Sequence, residues 1–341
     1  MHPQKIQEIL KDAPDFTKKT YLAAEAMGGK VLYATDEFFA EKENLIKPGR
    51  GVFIEDKYTE RGKWMDGWES RRRRTPGHDY AVIQLATDGI VAGFDIDTNH
   101  FTGNHPPFAS VEGILLHPDQ DVKNWDDPSL RWEVLLPRLP LDPGSHNYYV
   151  CHNATPVNHV RLHIYPDGGV ARFRVYGDVQ KDWSVVSNDT KIDLVAALNG
   201  GHALMCNDMY FSDMRNLILP QRGINMGDGW ETKRSRTPNH HDWVILRLGH
   251  KGILQEVLVD TAHFKGNYPD YCTLEGCFAE DDEAVLCGKA EWKALMPPLK
   301  LQPDNEHSVS LSPDLPPVSH VRFSIYPDGG VSRLRLFGHI V

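Results

Sequence analysis

The alternation of apolar and polar residues is clearest between positions 159 and 177, which read HVRLHIYPDGGVARFRVYG. Val160, Leu162 and Ile164 alternate with polar or aromatic residues, and this period of two is typical of a strand with one buried face. The PDGG sequence at 166–169 combines a proline with two glycines, which allows the chain to reverse. Because the alternation resumes after it, the segment predicts a strand, a turn and a second strand, that is, a hairpin.

The same pattern returns almost letter for letter at residues 320–338, as HVRFSIYPDGGVSRLRLFG. The two copies start 161 residues apart, close to half of the 341-residue chain. This period is far longer than the repeat of a solenoid or a propeller blade, so each copy should bury a core of its own. The chain is therefore predicted to be one β-rich module written twice.

Two further blocks recur in the same order in both halves. DGWES at 66–70 returns as DGWET at 228–232, and FDIDTNHFTGNHP at 94–106 returns as VLVDTAHFKGNYP at 257–269. Many short strand patterns separated by Gly and Pro turns are typical of an all-β sandwich such as a jelly roll. We therefore predict two tandem jelly-roll β-sandwich modules. The predicted bounds are 1–27 for an N-terminal extension, 28–178 for the first module, 179–189 for a linker and 190–341 for the second module.

Charge and hydropathy argue against several kinds of partner. The net charge of −10 disfavours nucleic acid and anionic membrane surfaces as ligands. The sequence has no run of 18 apolar residues that would predict a membrane span. Its first residues also lack the basic and apolar regions of a secretory signal. We expect a cytoplasmic protein.

The five cysteines agree with that location. Cys272 and Cys277 stand opposite Ala109 and Ile114 in the first copy, so they are predicted to be small core residues rather than halves of disulfides. The spacing of Cys272, Cys277 and Cys287 does not favour a zinc site.

Three motifs, each present twice, carry a resemblance to a known family: DGWE followed by S or T, DTxxFxGNxP, and YPDGGxxRxRxxG. In this combination and order the chain resembles the allantoicase family over residues 28–338. Members of that family consist of two jelly-roll modules of the galactose-binding-like type. They hydrolyse allantoate to ureidoglycolate and urea, a step in recovering nitrogen from purines. The resemblance therefore implies a hydrolase acting on carbon–nitrogen bonds of linear amidines.

Such a substrate sets clear chemical demands. Allantoate carries one carboxylate and two ureido arms on a single carbon, and arginine offers a carboxylate two parallel N–H donors. The RRRR run at 71–74 is the most basic point of the sequence, and Arg72 and Arg74 recur as Arg234 and Arg236. We expect these four residues to bind the substrate. The alternative is a solvated arm paired with acidic neighbours.

Hydrolysis also needs a general acid and a general base, normally Glu, Asp or His. Trp68 and Glu69, repeated as Trp230 and Glu231, directly precede the arginine run. Glu69 and Glu231 are candidate catalytic residues or partners of the arginines. Trp68 is a candidate for substrate contact, although packing is the commoner role of tryptophan.

Asp97, His100 and Asn104 form a second constellation, which recurs as Asp260, His263 and Asn267. A carboxylate at a strand end beside a loop histidine can orient an imidazole for acid–base catalysis. The aspartates and histidines are therefore candidate catalytic residues, and Asn104 is a candidate for substrate binding. The alternative is a loop held together by Asp and Asn side chains that cap its own backbone.

Glu112, its repeat Glu275, and Arg172 complete the set of candidates. Glu112 and Glu275 begin inner strands, where an acid is unusual, so both are candidate catalytic residues. Arg172 shares a strand face with Arg174 and is a candidate for substrate binding. Its alternative role is to tie loops together through hydrogen bonds.

A metal site receives little support. Asp97, His100 and His105 are of suitable ligand types, but Tyr268 replaces His105 in the second copy. We therefore expect no cofactor, with a divalent metal as the less favoured alternative.

The sequence is compatible with several arrangements of the site and with a second function. Both halves retain the shared blocks, so two sites, one site where the modules meet, or a site completed by another subunit are all compatible with the sequence. A non-enzymatic tandem jelly-roll protein that binds sugars or small polar ligands is the rival function. Recurrent acids and histidines favour the enzyme, because a sugar module relies on aromatic platforms. We expect a homo-oligomer with allantoate as its small-molecule partner.

Overall fold

The structure is a computed structural model that describes residues 13–341. Its backbone contacts divide these residues into a first unit, residues 14–180, and a second unit that contains residues 181–341. Both units consist mainly of antiparallel strands joined by turns and short 3₁₀ helices. No helix within the described residues has the length and apolar character needed to cross a membrane.

The first unit contains twelve strands and three 3₁₀ turns. The strands are β1 (Thr20–Tyr21), β2 (Lys30–Ala34), β3 (Tyr58–Thr59), β4 (Gly62–Lys63), β5 (Trp68–Glu69), β6 (Asp79–Asp97), β7 (Phe108–Ile114), β8 (Glu133–Pro140), β9 (Tyr148–Val150), β10 (Val157–Tyr165), β11 (Gly169–Val170) and β12 (Arg172–Val179). The 3₁₀ turns are Asp15–Lys18, Glu25–Met27 and Lys42–Ile46.

The second unit repeats this series with small differences. Its strands are β13 (Ile192–Asp193), β14 (His202–Cys206), β15 (Trp230–Glu231), β16 (Asp242–Asp260), β17 (Tyr271–Cys277), β18 (Lys293–Ala294), β19 (Leu299–Lys300), β20 (Glu306–Ser310), β21 (Val318–Tyr326), β22 (Gly330–Val331) and β23 (Arg333–Ile340). The helical segments are the 3₁₀ turns Trp183–Val185, Ala197–Asn199, Met214–Ile218 and Met226–Asp228 and the α-helix Asp282–Leu286.

The 19-residue strand β6 organises the first unit, because its two halves pair with different neighbours. Residues 79–84 pair with β2 on one side and β10 on the other, while residues 89–97 pair with β12 and, in part, with β9. Straight, β6 would be about 60 Å long. However, the strand that pairs with one end of β6, β10, is joined to the strand that pairs with the other end, β12, by residues 166–171 alone. This connection can span at most about 25 Å. The strand must therefore bend so that its halves lie in two layers.

This arrangement corrects one expectation. The segment at 159–177 was predicted to be a hairpin, but in the described structure β10 and β12 form no ladder with each other. Both strands pair with β6, at opposite ends, and the turn between them crosses from one layer to the other. The alternating pattern predicts two half-buried strands, and it holds no information about which strand each of them pairs with.

The core lies between the two layers. Phe94 and Phe173 from one layer belong to the same buried cluster as Val160, Leu162 and Ile164 from the other. The two phenylalanine rings stack with centroids 5.9 Å apart. The residues that alternate in the sequence thus face inward, as the period of two predicts.

The second unit has the same strand order. The path β1-β12-β6-β10-β7-β8 of the first unit corresponds to β13-β23-β16-β21-β17-β18 of the second. The prediction of an all-β chain built from two tandem sandwich modules is confirmed.

The units differ from the predicted modules at their beginnings. Residues 20–21, predicted to lie in an extension, pair with Tyr176 and Gly177 of β12, and Phe16 is buried. Residues 192–193 pair with β23 in the equivalent way. Residues 181–189, predicted to be a linker, belong to the second unit. Of the predicted extension, residues 1–12 lie outside the described part of the chain.

Cys272 and Cys277 occupy the predicted core positions. None of the five cysteines, all of which lie within the described residues, forms a disulfide, and Cys151, Cys272 and Cys277 are buried. Cys206 is partly buried and Cys287 is exposed. Burial raises the pKa of the Cys277 thiol to about 11.

Two glycines provide a matched test of packing near the turn at 166–169. A Cβ atom at Gly169 would lie 2.0 Å from the ring of the buried Phe101, whereas a Cβ at Gly103 would meet no atom within 4 Å. We expect Gly169→Ala to lower the free energy of unfolding by about 1–3 kcal/mol, the usual cost of overpacking. Gly103→Ala should change it by less than about 0.5 kcal/mol. Urea unfolding measures both, and equal stabilities would contradict this packing.

Candidate active site

Each unit places a glutamate at the turn that bridges its two layers. Strand β5 pairs with β11, so that Glu69 lies opposite Gly169, and β15 pairs with β22 in the same way, with Glu231 opposite Gly330. The Ser70 N–H donates to the Gly168 carbonyl at 3.2 Å and extends this contact. The local ladder therefore fixes the backbone of each glutamate.

Trp68 and Trp230 anchor these short strands in the core. Both are fully buried, and their indole N–H groups donate to the carbonyls of Asp36 and Asp208 at 2.8 Å and 2.9 Å. The prediction that Trp68 contacts substrate is wrong, because its side chain has no surface left for a ligand. Its function is to hold the neighbouring glutamate.

The glutamate side chains share an unusual environment. Asn104 donates from Nδ2 to Oε1 of Glu69 at 2.7 Å, and Asn267 makes the same bond to Glu231. Burial raises the pKa of both carboxyl groups, although the asparagine hydrogen bonds act in the opposite direction. Within residues 13–341 neither carboxylate forms an ion pair. A half-buried acid without a charged partner is typical of a proton donor or acceptor in a functional site.

In the second unit, Glu231 opens into a cleft of about 470 Å³. This volume suits a small polar molecule. The cleft is lined by Phe211, Glu231, Thr232, Arg234, Ser235, Gly266, Asn267, Tyr268, Asp270, Pro327, Asp328 and Gly329.

The arginine run at 71–74 separates into paired and unpaired side chains. Arg71 bonds to Asp36 and Arg73 to the buried Asp79, each at 2.7 Å. Arg72 and Arg74 are exposed, and the described part of the chain gives neither of them an ion pair or a side-chain hydrogen bond. The alternative, that the run is paired with acidic neighbours, is thus true of Arg71 and Arg73 and does not hold for Arg72 and Arg74.

In the second unit, Arg234 and Arg236 are exposed and unpaired in the same sense, and Arg234 lines the cleft beside Glu231. The structure therefore brings three predicted types of residue together at one place: a glutamate, the asparagine that binds it, and an arginine whose guanidinium is available to an anion.

The expected pairing of Asp97 with His100 does not form. Asp97 is fully buried and receives two hydrogen bonds from Arg50, at 3.1 Å and 3.3 Å, and a third from the Asn99 N–H. His100 is exposed, has a positive φ of 68°, and packs its ring on Phe53. Arg50 lies 47 residues before Asp97 in the chain, so no local pattern indicates this ion pair.

The second unit is similar. Asp260 is bound by Arg222 at 2.9 Å, and His263 donates from Nε2 to the Gly223 carbonyl at 2.8 Å. These aspartates neutralise arginines at the end of a sheet, and within the described structure they do not orient the histidines.

Glu112 and Glu275 also form ion pairs. Glu112 is bound by Arg161 at 2.7 Å and by His163 at 2.9 Å, and these partners, His163 foremost, lower the pKa of Glu112 to about 2. Glu275 is bound by Arg322 at 2.7 Å. Because its pKa is lowered, Glu112 is a poor proton carrier near neutral pH.

Arg172 is buried and bonds to the carboxylate of Asp66 at 2.9 Å and to two backbone carbonyls. The expectation that it binds substrate is wrong, since its side chain has 3% exposure. The alternative, that it ties loops together, is what the contacts show.

Sequence reasoning missed a buried aspartate at the start of each long strand. Asp79 is paired with Arg73, whereas Asp242 is paired with His240 at 2.8 Å. Two sequence differences could have pointed to this change of partner. The second copy has one extra residue, with NHHD in place of GHD, and Ser235 stands at the position of Arg73.

No group of three His, Cys, Asp or Glu side chains within residues 13–341 is arranged to hold a metal ion. Of the predicted ligand set, Asp97 is engaged by Arg50 and His100 packs on Phe53.

Comparison with known proteins gives one consistent result. The Allantoicase repeat family matches residues 20–180 and 192–341. A probable allantoicase from Pseudomonas fluorescens is 48% identical over 96% of this chain and 98% of its own length, and one from Pseudomonas aeruginosa is 46% identical over the same shares. The crystal structure of an allantoicase from Saccharomyces cerevisiae is 36% identical, covers 98% of both chains and superposes with a TM-score of 0.82.

The two kinds of glutamate should respond oppositely to pH. The raised pKa of Glu69 means that the folded protein holds its proton more tightly than the unfolded chain, so this residue costs stability as pH rises above about 4. Glu69→Gln should therefore become more stable than the wild type as pH rises from 4 to 7. The lowered pKa of Glu112 gives stability that is lost as pH falls from about 4 towards 2, so Glu112→Gln should be destabilised at pH 7 and recover on acidification.

Urea unfolding of both variants between pH 2 and pH 7 measures these differences. The same pH slope for the two variants would contradict the assigned environments.

Proposed function

This chain belongs to the allantoicase family, and from that premise we propose that it hydrolyses allantoate to ureidoglycolate and urea in the degradation of purines. The observation that carries the proposal is the recurring group of a half-buried glutamate, its asparagine and an unpaired arginine, present in both units of a chain that matches the family over nearly its whole length. The reaction is hydrolysis of a carbon–nitrogen bond of a linear amidine.

The cleft chemistry suits allantoate. The guanidinium of Arg234 is free to receive the substrate carboxylate through two parallel hydrogen bonds. Asn267 lines the same cleft, and its side-chain amide is the kind of donor and acceptor that a ureido arm requires. Equivalent residues, Arg72 and Asn104, accompany Glu69 in the first unit.

Glu231 is suited to be the general acid. Because burial raises its pKa, the carboxyl group holds a proton at higher pH than an exposed glutamate does. In the reaction, the oxygen of water bonds to the central carbon of allantoate, and the bond from that carbon to one ureido nitrogen breaks. The electron pair stays on that nitrogen, which takes the proton of Glu231 and leaves as urea. A second group must accept the proton that water loses.

A purely sugar-binding role is not favoured. Relatives that match 98% of their own length are named as allantoicases, and the cleft places titratable side chains of Glu231, Asp270 and Asp328 against its ligand space.

We also propose that the reaction needs no cofactor, that the protein is cytoplasmic and that it forms a homo-oligomer. The replacement of His105 by Tyr268 supports the first point. The five unpaired cysteines support a reducing compartment. The exposed side chains of Val52, Phe53, Ile54 and Tyr58 support an assembly, because apolar groups clustered on a surface often mark an interface.

The direct test is an assay of purified protein with allantoate, with and without EDTA. We expect equal amounts of urea and ureidoglycolate, at a rate that chelation does not change. The matched control is the Glu69→Gln, Glu231→Gln double variant, which should lose activity while staying folded. Absence of urea from the wild-type reaction would overturn the proposed function, and loss of activity with EDTA, restored by one divalent ion, would overturn the cofactor proposal alone.

The arginine assignment has its own test. In the Arg72→Lys, Arg234→Lys variant, a single ammonium group replaces the guanidinium fork in both units. Loss of a charged hydrogen bond is worth about 1.5–3 kcal/mol, so kcat/KM for allantoate should fall at least about tenfold. Arg71→Lys is the control, since Arg71 is paired with Asp36 and should leave kcat/KM nearly unchanged. Equal kinetics in the two variants would contradict the assignment.

A further inference from the structure

The two units neutralise an equivalent buried aspartate with different partners. Asp79 and Asp242 begin the long strands β6 and β16, and both are almost fully buried. A buried carboxylate needs a partner, because removing its charge from water is costly. In the first unit that partner is Arg73, with Nη1 at 2.7 Å from Oδ1. At the matching position the second unit has Ser235, which cannot neutralise a charge.

The second unit replaces the arginine with a histidine. His240 Nε2 lies 2.8 Å from Oδ1 of Asp242, and Asn207 Nδ2 donates to the same oxygen at 2.9 Å. His240 belongs to the part of the loop that is one residue longer than in the first unit. The exchange of arginine for serine and the inserted residue are therefore two parts of one change, in which a histidine takes over the buried carboxylate.

This exchange alters the chemistry that the position can perform. A guanidinium stays protonated and cannot act as a base, whereas an imidazole can accept and release a proton near neutral pH. A carboxylate oxygen accepts, so Asp242 holds the proton of His240 on Nε2 and leaves Nδ1 as an acceptor, which has no hydrogen-bond partner among residues 13–341. The histidine is half-buried, with 27% of its side chain exposed, while the aspartate is fully buried.

His240 lies in a cleft beside the one proposed to bind the substrate. Together with Asp242, it lines a cleft of about 360 Å³ that contains the cationic residues Lys233, Arg234 and Arg236. This cleft adjoins the one that holds Glu231, because Arg234 and Ser235 line both. Arg234 thus lies between a proton donor on one side and His240 on the other.

Resting on the proposed function, we propose that His240, oriented by Asp242, is the general base of the second unit. Nδ1 of His240 takes one proton from the water whose oxygen bonds to the central carbon, and Glu231 gives one proton to the departing ureido nitrogen. Transfer of the proton from His240 to Glu231 through solvent then restores both residues. Arg73 cannot perform the corresponding step in the first unit, so turnover by this route belongs to the second unit.

The main test is His240→Asn in the full-length protein. General-base catalysis contributes about 10²–10⁴-fold, so kcat for urea release should fall by about that factor. KM should change by less than about threefold, because the lost group acts in the chemical step. The matched control is His241→Asn, which changes the adjacent, exposed histidine that stacks on Tyr326, and it should keep the wild-type kcat.

A second variant separates catalysis from folding. Ser235→Arg combined with His240→Gly gives Asp242 the arginine partner that Asp79 has in the first unit, so the thermal midpoint should stay close to that of the wild type. Its kcat should fall as far as that of His240→Asn. In addition, imidazole in solution should restore part of the activity of His240→Ala, which a purely structural histidine would not allow.

Wild-type kcat in either His240→Asn or the Ser235→Arg, His240→Gly variant would overturn the assignment of the base, while leaving the proposed function in place. The two failures are distinguishable, because failure of the proposed function appears in the wild-type protein itself as absence of urea.

Discussion

Each unit depends on one long strand that serves both layers of its sandwich. The strand can close a core only if it bends, and it bends because a short connection ties together the strands that pair with its two ends. That connection contains the PDGG turn and β11, and β11 pairs with β5, the strand that carries Glu69. The ring of Phe101 packs so closely against Gly169 that any side chain there would clash with it. The constraint that closes the fold therefore also positions the glutamate.

The balance of charge identifies the residues that remain available to a ligand. Charges removed from water need partners, and most buried charged groups near the sheet ends have them, as Asp97 has Arg50. Glu69 differs, because among residues 13–341 its side-chain partner is the neutral amide of Asn104. Arg72 differs as well, because it stays in solvent between two arginines that are paired. The charge pairing thus separates candidates that the folded structure already engages from candidates whose side chains remain available to a ligand.

The duplication shows how one fold can support unequal units. The strand order and the glutamate–asparagine pair are the same in both, so the shared architecture keeps the common binding chemistry. At the buried aspartate the units differ, with Arg73 as the partner in one and His240 in the other. Both solutions neutralise the carboxylate, and only the second adds a group that can exchange a proton.

The sequence by itself determined the duplication, the all-β class, the inward faces of the strands and the family. These features follow from local alternation and from repeated letters, which a chain carries in its own order. It also placed Glu69 and Arg72 among the candidates. Only the tertiary structure decided that the two strands flanking the PDGG turn join different layers, that Trp68 is buried, and that Arg50 rather than His100 binds Asp97. Each of these depends on a partner far away in the chain, and the pattern of neighbouring residues cannot specify such a contact.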